Sequence, residues 1–184
     1  IMLIDSNIVR KHLYTLASDE MEGRKPGTIG IEKAAVYIEN EFKKNGLSPF
    51  GDLKSYRQTF TFKNRKTNED ITSSNIIGVL EGKSKKEEYV IISAHYDHLG
   101  MGGSGSLHAG EPAIHNGADD NASGIAAMFR IAEYLKNSNL KSNNYMFIAF
   151  SGEEKGLFGS KYFAANPTID LERINYMFNM DMVG

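Results

Sequence analysis

The chain has 184 residues, enough for one domain with a sizeable core, and its 21 basic and 23 acidic side chains leave a net charge of −2. That balance gives no support to a nucleic-acid or anionic-membrane partner. The lack of cysteine excludes disulfides and thiolate metal sites, and no apolar run approaches the length of a membrane span.

The opening Ile1-Met2-Leu3-Ile4 shows neither the basic region nor the long apolar core of a signal peptide. Asp5-Ser6-Asn7 offers N-cap side chains, and Val9, Leu13 and Leu16 follow at helical spacing. His12 falls in this helix and reads as a packing or surface residue. Met21 to Thr28 is turn-rich. Thr28 can cap a second helix whose apolar face is Ile31, Ala34, Ala35, Ile38 and Phe42, with Gly46 as its stop. From Tyr56 to Phe62 the pattern alternates, with Tyr56, Gln58, Phe60 and Phe62 on one face, as in a half-exposed strand towards a sheet edge. Asn64 to Thr72 is polar and reads as a loop. Asn75–Leu80 and Tyr89–Ala94 read as strands, paired as a hairpin across a charged, solvated turn at Lys83 to Glu88.

Leu99 to Asn116 is a long glycine-rich loop that also carries His108 and His115. No Gly-Lys-Ser/Thr follows its glycines, so a flexible cleft rim fits better than a phosphate cradle. Ser123 can cap a helix with Ile125, Met128, Phe129, Ala132 and Leu135 on its core face. A strand at Tyr145–Phe150, a short helix with Leu157, Phe158, Tyr162 and Phe163, and a last strand at Tyr176–Phe178 complete the order. Strands alternating with helices argue for α/β layers.

Chemistry-bearing residues gather just after the apolar runs. Ala94-His95-Tyr96-Asp97-His98 follows one, Ser151-Gly152-Glu153-Glu154 another and Asn179-Met180-Asp181 a third, while Asp119-Asp120-Asn121 precedes a helix. Apolar, β-branched and aromatic runs of this length read as strands buried on both faces, and ligands of open α/β sheets gather outside the carboxyl ends of such strands. One imidazole and several carboxylates in a single crevice suit one metal ion or two. His95 is a nitrogen ligand of the kind zinc takes. Asp97 is spaced to accept the other ring N–H of His95. Asp119 or Asp120 can ligate or merely cap. Of the adjacent Glu153 and Glu154, one can ligate while the other acts as general base. Asp181 supplies a further oxygen.

These segments, with Asn116 to Gly124, Phe150 to Ser160, Asn179 to Gly184 and the early Glu22-Gly23-Arg24 and Gly27-Thr28, resemble the zinc-dependent aminopeptidases of peptidase family M28, which use two co-catalytic zinc ions. The resemblance implies a three-layer α/β/α fold with a mixed, mostly parallel central sheet, and hydrolysis of peptide substrates from the amino end. It implies His95 and Asp181 as ligands of one zinc, Asp120 as the bridge, Glu154 as a ligand of the second, Glu153 as general base and Asp97 as the partner of His95. It also implies a cis Asp120–Asn121 peptide and a secreted or periplasmic location. Family members place a second-zinc histidine downstream of the Asp181 position, whereas here only three residues follow. The expectation is therefore one catalytic domain over residues 1–184, truncated at its C-terminal side, with edges open to self-association. Carboxypeptidase-like and glutaminyl-cyclase-like relatives on the same scaffold, or an inactive binding module, are the alternatives.

Overall fold

The computed structural model describes residues 5–51, 53–83, 88–103, 106–140 and 142–184; the opening four residues and most of the expected charged turn, residues 84–87, lie outside it. Helix α1 spans Ser6–Leu16, and the Asp5 carboxylate accepts from the Asn7 amide at 2.9 Å. Helix α2 spans Ile29–Lys44. The five residues expected on its apolar face are all buried. Gly46, at φ 74°, ends it in a Schellman arrangement: its amide donates to the Lys43 carbonyl and that of Leu47 to the Phe42 carbonyl, both at 3.0 Å. Thr28 stands at the N-cap but its hydroxyl donates to the Lys25 carbonyl instead of capping.

Five strands form one sheet: β1 Arg57–Lys63, β2 Asp70–Leu80, β3 Tyr89–His95, β4 Asn144–Phe150 and β5 Ile174–Asn179. Their spatial order is β1-β2-β4-β3-β5. The β1–β2 and β2–β4 pairs are antiparallel, and β4–β3 and β3–β5 are parallel. Only β2 therefore runs against the other four.

Two expectations are corrected here. The expected hairpin of Asn75–Leu80 with Tyr89–Ala94 does not form, because β4 lies between those strands. β4 is apolar on both faces and takes the centre. The true hairpin is β1–β2, and β2 begins at Asp70, inside the stretch that reads as loop. Its polar residues pair across the strands, as in the hydroxyl contacts Thr59–Ser74 (2.9 Å) and Thr61–Thr72 (3.1 Å). The last strand, expected to be buried on both faces, is the other sheet edge. Tyr176, Met177 and Phe178 are 68%, 51% and 61% exposed, since no described element packs over them.

Helix α3 spans Gly124–Asn137 and α4 spans Phe158–Ala165. α1, α2 and α3 pack on one face of the sheet through Leu16, Ile38, Phe42, Phe129, Phe147 and Ala149. On the other face α4 contributes Phe163 to a second cluster with Ile77, Ile91, Met146 and Ile148. The result is an α/β/α sandwich. His12 takes its bland role: it is buried, its Nδ1 lies 2.8 Å from the Tyr37 hydroxyl, and its ring meets Phe129 edge-on at 4.9 Å.

Phe129 joins three helices, with its ring also against Tyr37 and Phe42 at 6.2 Å. Phe129→Ala should cost about 3–5 kcal/mol of stability, seen as a lower midpoint in urea unfolding. A cost below about 1 kcal/mol would show that this face is not close-packed.

Candidate metal centre

The parallel half of the sheet delivers the site. His95 ends β3, Glu153 and Glu154 follow β4, and Asp181 follows β5. Asp120 arrives from the turn before α3, where the Asp120–Asn121 peptide is cis, as expected. Asn121 then locks this turn to the end of β5. Its Nδ2 donates to the Met180 carbonyl (2.9 Å), and its Oδ1 accepts from the amides of Gly124 (3.0 Å) and Met182 (3.3 Å).

Two ligand sets share one carboxylate. His95 Nε2 lies 3.1 Å from Asp120 Oδ1 and 3.4 Å from Asp181 Oδ1. Those separations match the roughly 3.3 Å edge of a tetrahedron with zinc–ligand bonds of about 2.0–2.1 Å. Asp120 Oδ2 lies 3.8 Å from His98 Nδ1, which is 2.7 Å from Glu154 Oε1. His95, Asp120 and Asp181 form one group able to hold a metal ion, and His98, Asp120 and Glu154 another. His98 and Glu154 are close but not aligned as a hydrogen bond, and the two facing atoms are buried without a partner. Two ligand atoms without hydrogen-bond partners, converging on one point, fit a cation better than they fit each other. The residues present therefore fit a metal.

The electrostatics agree. Burial works against a charged His95, but Asp97, Glu153 and Asp181 outweigh it and raise its pKa to about 9. Burial raises the carboxyls of Asp120 and Glu153, and neighbouring carboxylates add to this. The contact with His98 lowers that of Glu154. A cluster that holds a proton on His95 at neutral pH is a cluster short of positive charge.

Family-model matching places residues 75–184 in peptidase family M28. The chain belongs to that family. Among curated relatives it is 30% identical over 160 residues to the alkaline phosphatase isozyme conversion protein of Escherichia coli, covering 85% of this chain and 44% of that protein. It is 36% identical over 115 residues to the aminopeptidase YwaD of Bacillus subtilis, covering 61% of this chain and 22% of that one. The chain thus spans less than half the length of either relative. All of it superposes on a Zn-dependent exopeptidase from Parabacteroides distasonis, with TM-score 0.81, 20% identity and 63% of that chain covered. It superposes equally fully on a glutaminyl cyclase from Tannerella forsythia, with TM-score 0.79, 20% identity and 63% covered. At that identity the likeness shows the fold and not the reaction.

Of the residues singled out in the sequence, His95, Asp97, Asp120, Glu153, Glu154 and Asp181 all come together. Asp119 does not join them: its carboxylate accepts from the Gly184 amide (2.9 Å). Asp97 meets His95 differently from the expectation. The His95 Nδ1 contact at 3.1 Å is to the Asp97 backbone carbonyl, and the carboxylate stands 3.6 Å away. The carboxylate accepts instead from the amides of Glu153 (3.1 Å) and Glu154 (3.3 Å). Asp97, fully buried, aims the glutamate pair.

His98 and Arg24 went unassigned in the sequence. Position 98 follows His-x-Asp directly, so the clue to His98 was proximity alone. Arg24 is fully buried. Its Nε donates to the Tyr96 carbonyl (2.7 Å), and its Nη atoms to those of Asn116 (2.7 Å), Gly117 (2.8 Å) and Leu16. Burial lowers its pKa to about 10, against the pull of Asp97, Asp120 and Glu154.

Arg24→Met should destabilise the chain by about 3 kcal/mol or more, since each unsatisfied buried carbonyl costs about 1–3 kcal/mol. Thermal unfolding of the metal-free chain reads this, and an unchanged Tm would remove Arg24 from the scaffold of the site. Folding raises the pKa of His95, so its protonated ring stabilises the fold. Its stabilisation of the metal-free fold is complete below pH 6.5 and is lost as pH rises towards 9. A metal needs the neutral imidazole, so zinc loading at pH 7.5 should release about one proton from this site. Calorimetry in buffers of different ionisation enthalpy measures it; no release would mean His95 starts neutral.

Proposed function

We propose that this chain supplies the metal centre of a zinc-dependent exopeptidase that removes residues from the free amino end of peptides. One observation carries the reading: the two oxygens of Asp120 face separate ligand sets, His95 with Asp181 and His98 with Glu154. Membership of peptidase family M28 and the names of the relatives, an aminopeptidase and several probable zinc metalloproteases, support it.

His95, Asp120 and Asp181 would hold one zinc, and His98, Asp120 and Glu154 a second. Zinc bound there would polarise the scissile carbonyl and lower the pKa of an attacking water to roughly neutral. Glu153 is the residue left over for proton transfer. Its Oε2 stands 3.9 Å from His95 Nε2, beside the first set but outside it. Burial holds its carboxyl above the usual range, which suits a base that must later return the proton. Glu153 accepts the proton of the water as it attacks the carbonyl carbon. It then delivers that proton to the leaving nitrogen as the C–N bond breaks. Asp97 keeps the Glu153 amide, and so its carboxylate, in place.

Glu153→Gln should retain zinc, measured by elemental analysis, while hydrolysis of an amino-terminal anilide falls about a hundredfold to ten-thousandfold. Near-normal turnover would end the base assignment. His98→Ala should lower zinc content by one equivalent relative to the parent chain. Equal zinc content would place the second site elsewhere. Conversion of amino-terminal glutamine peptides to pyroglutamate, without release of any free residue, would favour a cyclase over a peptidase.

A further inference from the structure

Beside the metal centre lies a groove of about 430 Å³. The turn after β1 and the Gly102-Gly103 stretch form its walls, and Glu154 and Lys155 lie where it meets the site. Its floor is aromatic: the rings of Phe62 and Phe158 stack at 4.3 Å. Five cations line it, namely Lys25, Lys63, Arg65, Lys66 and Lys155, against one carboxylate, that of Glu154. Glu154 is turned towards His98 and neutralises none of them. Lys63 pairs with Asp70 at 2.8 Å. Arg65 stacks over the Phe158 ring at 6.0 Å, which holds its guanidinium over the floor. Among the described residues, the side chains of Lys25, Lys66 and Lys155 have no ion-pair partner.

A chain of net charge −2 that collects unpaired cations in one concavity has an electrostatic use for them. The aromatic floor and partly apolar walls lower the local dielectric, so charges there attract an anion more strongly than on open surface. Since Glu154 belongs both to the groove and to a ligand set, whatever occupies the groove is within reach of the reacting centre.

The geometry points to this groove as a specificity site that takes a carboxylate of the peptide substrate. The inference rests on the exopeptidase reading and adds the substrate class. The carboxylate has two possible sources, the carboxyl terminus of a short peptide and an acidic side chain.

The test uses zinc-loaded protein and three matched pairs. Ala-Ala-Ala against its amide probes the terminal carboxylate. Asp-Ala-Ala-amide against Asn-Ala-Ala-amide, and Ala-Glu-Ala-amide against Ala-Gln-Ala-amide, probe the side chains. In at least one pair the charged member should have a kcat/KM about tenfold higher, as for one charge-assisted contact. Lys66→Glu and Lys155→Glu should each abolish that ratio, whereas Lys11→Glu, an equal charge change on exposed α1, should leave it intact. Salt near 1 M, where the Debye length is about 3 Å, should shrink it. No preference in any pair, or a preference that survives both groove variants, would overturn the proposal. If no peptide is hydrolysed, the exopeptidase reading fails separately, and calorimetric binding of the same pairs decides the groove. About tenfold tighter binding of a charged member, lost in both groove variants, supports it, and equal affinity overturns it.

Discussion

The site rests on one buried cation. The guanidinium of Arg24 has no access to solvent and spends its donors on four backbone carbonyls, those of Leu16, Tyr96, Asn116 and Gly117. These belong to the end of α1, the turn after β3 and the approach to Asp120. A lysine could not replace it, because only the planar fork presents five donors in fixed directions. Its backbone takes part as well. The amide of His98 donates to the Arg24 carbonyl (3.1 Å), and that of Gly100 to the Gly23 carbonyl (2.9 Å). Gly23, at φ 64°, must be glycine here, since a Cβ would stand 2.6 Å from the carbonyl oxygens of Gly100 and His115.

The same cation softens an otherwise repulsive assembly. Asp97, Asp120 and Glu154 all act on it, and Asp97 is a fully buried carboxylate that no lysine or arginine side chain among the described residues contacts directly. Two amides satisfy Asp97, and both belong to the glutamate turn. Satisfying the buried carboxylate and aiming the glutamates are thus one interaction. Adjacent residues on a turn diverge, and with both amides tied down Glu153 faces His95 while Glu154 faces His98. What Arg24 leaves uncompensated shows in the proton that His95 retains and in the raised carboxyls of Asp120 and Glu153. Divalent cations would supply the rest.

Much of this was legible in the sequence, for identifiable reasons. Apolar runs with a polar residue at the end announce parallel strands and the ligands beyond them, so the placement of His95, Glu153 and Asp181 followed from pattern. The helical faces of α2 and α3 were equally plain. The failures have separate causes, and the first is that sequence proximity does not state which strands are neighbours. β2 and β3 are consecutive, yet β4 separates them, pairing antiparallel with β2 and parallel with β3. The start of β2 reads as loop since its stability comes from hydroxyl pairs across the hairpin and not from apolar periodicity. At the site, residue types were legible and directions were not. Asp119 and Asp120 look alike in sequence; the turn sends one to the Gly184 amide and the other between two imidazoles.

The two halves of the sheet divide the work. Parallel strands β4, β3 and β5 end on one side, which is why three distant segments can meet around Asp120. The antiparallel hairpin contributes no ligand. Its end lies beside the glutamate turn instead, with Phe62 against Phe158 and Arg65 over that ring, on the side where Glu154 and Lys155 emerge. A reversed β2 is what makes this possible, since it returns the chain from β1 to the sheet centre and leaves the basic turn at the rim. The parallel half thus carries the ligand sets, and the hairpin end lines the groove beside them.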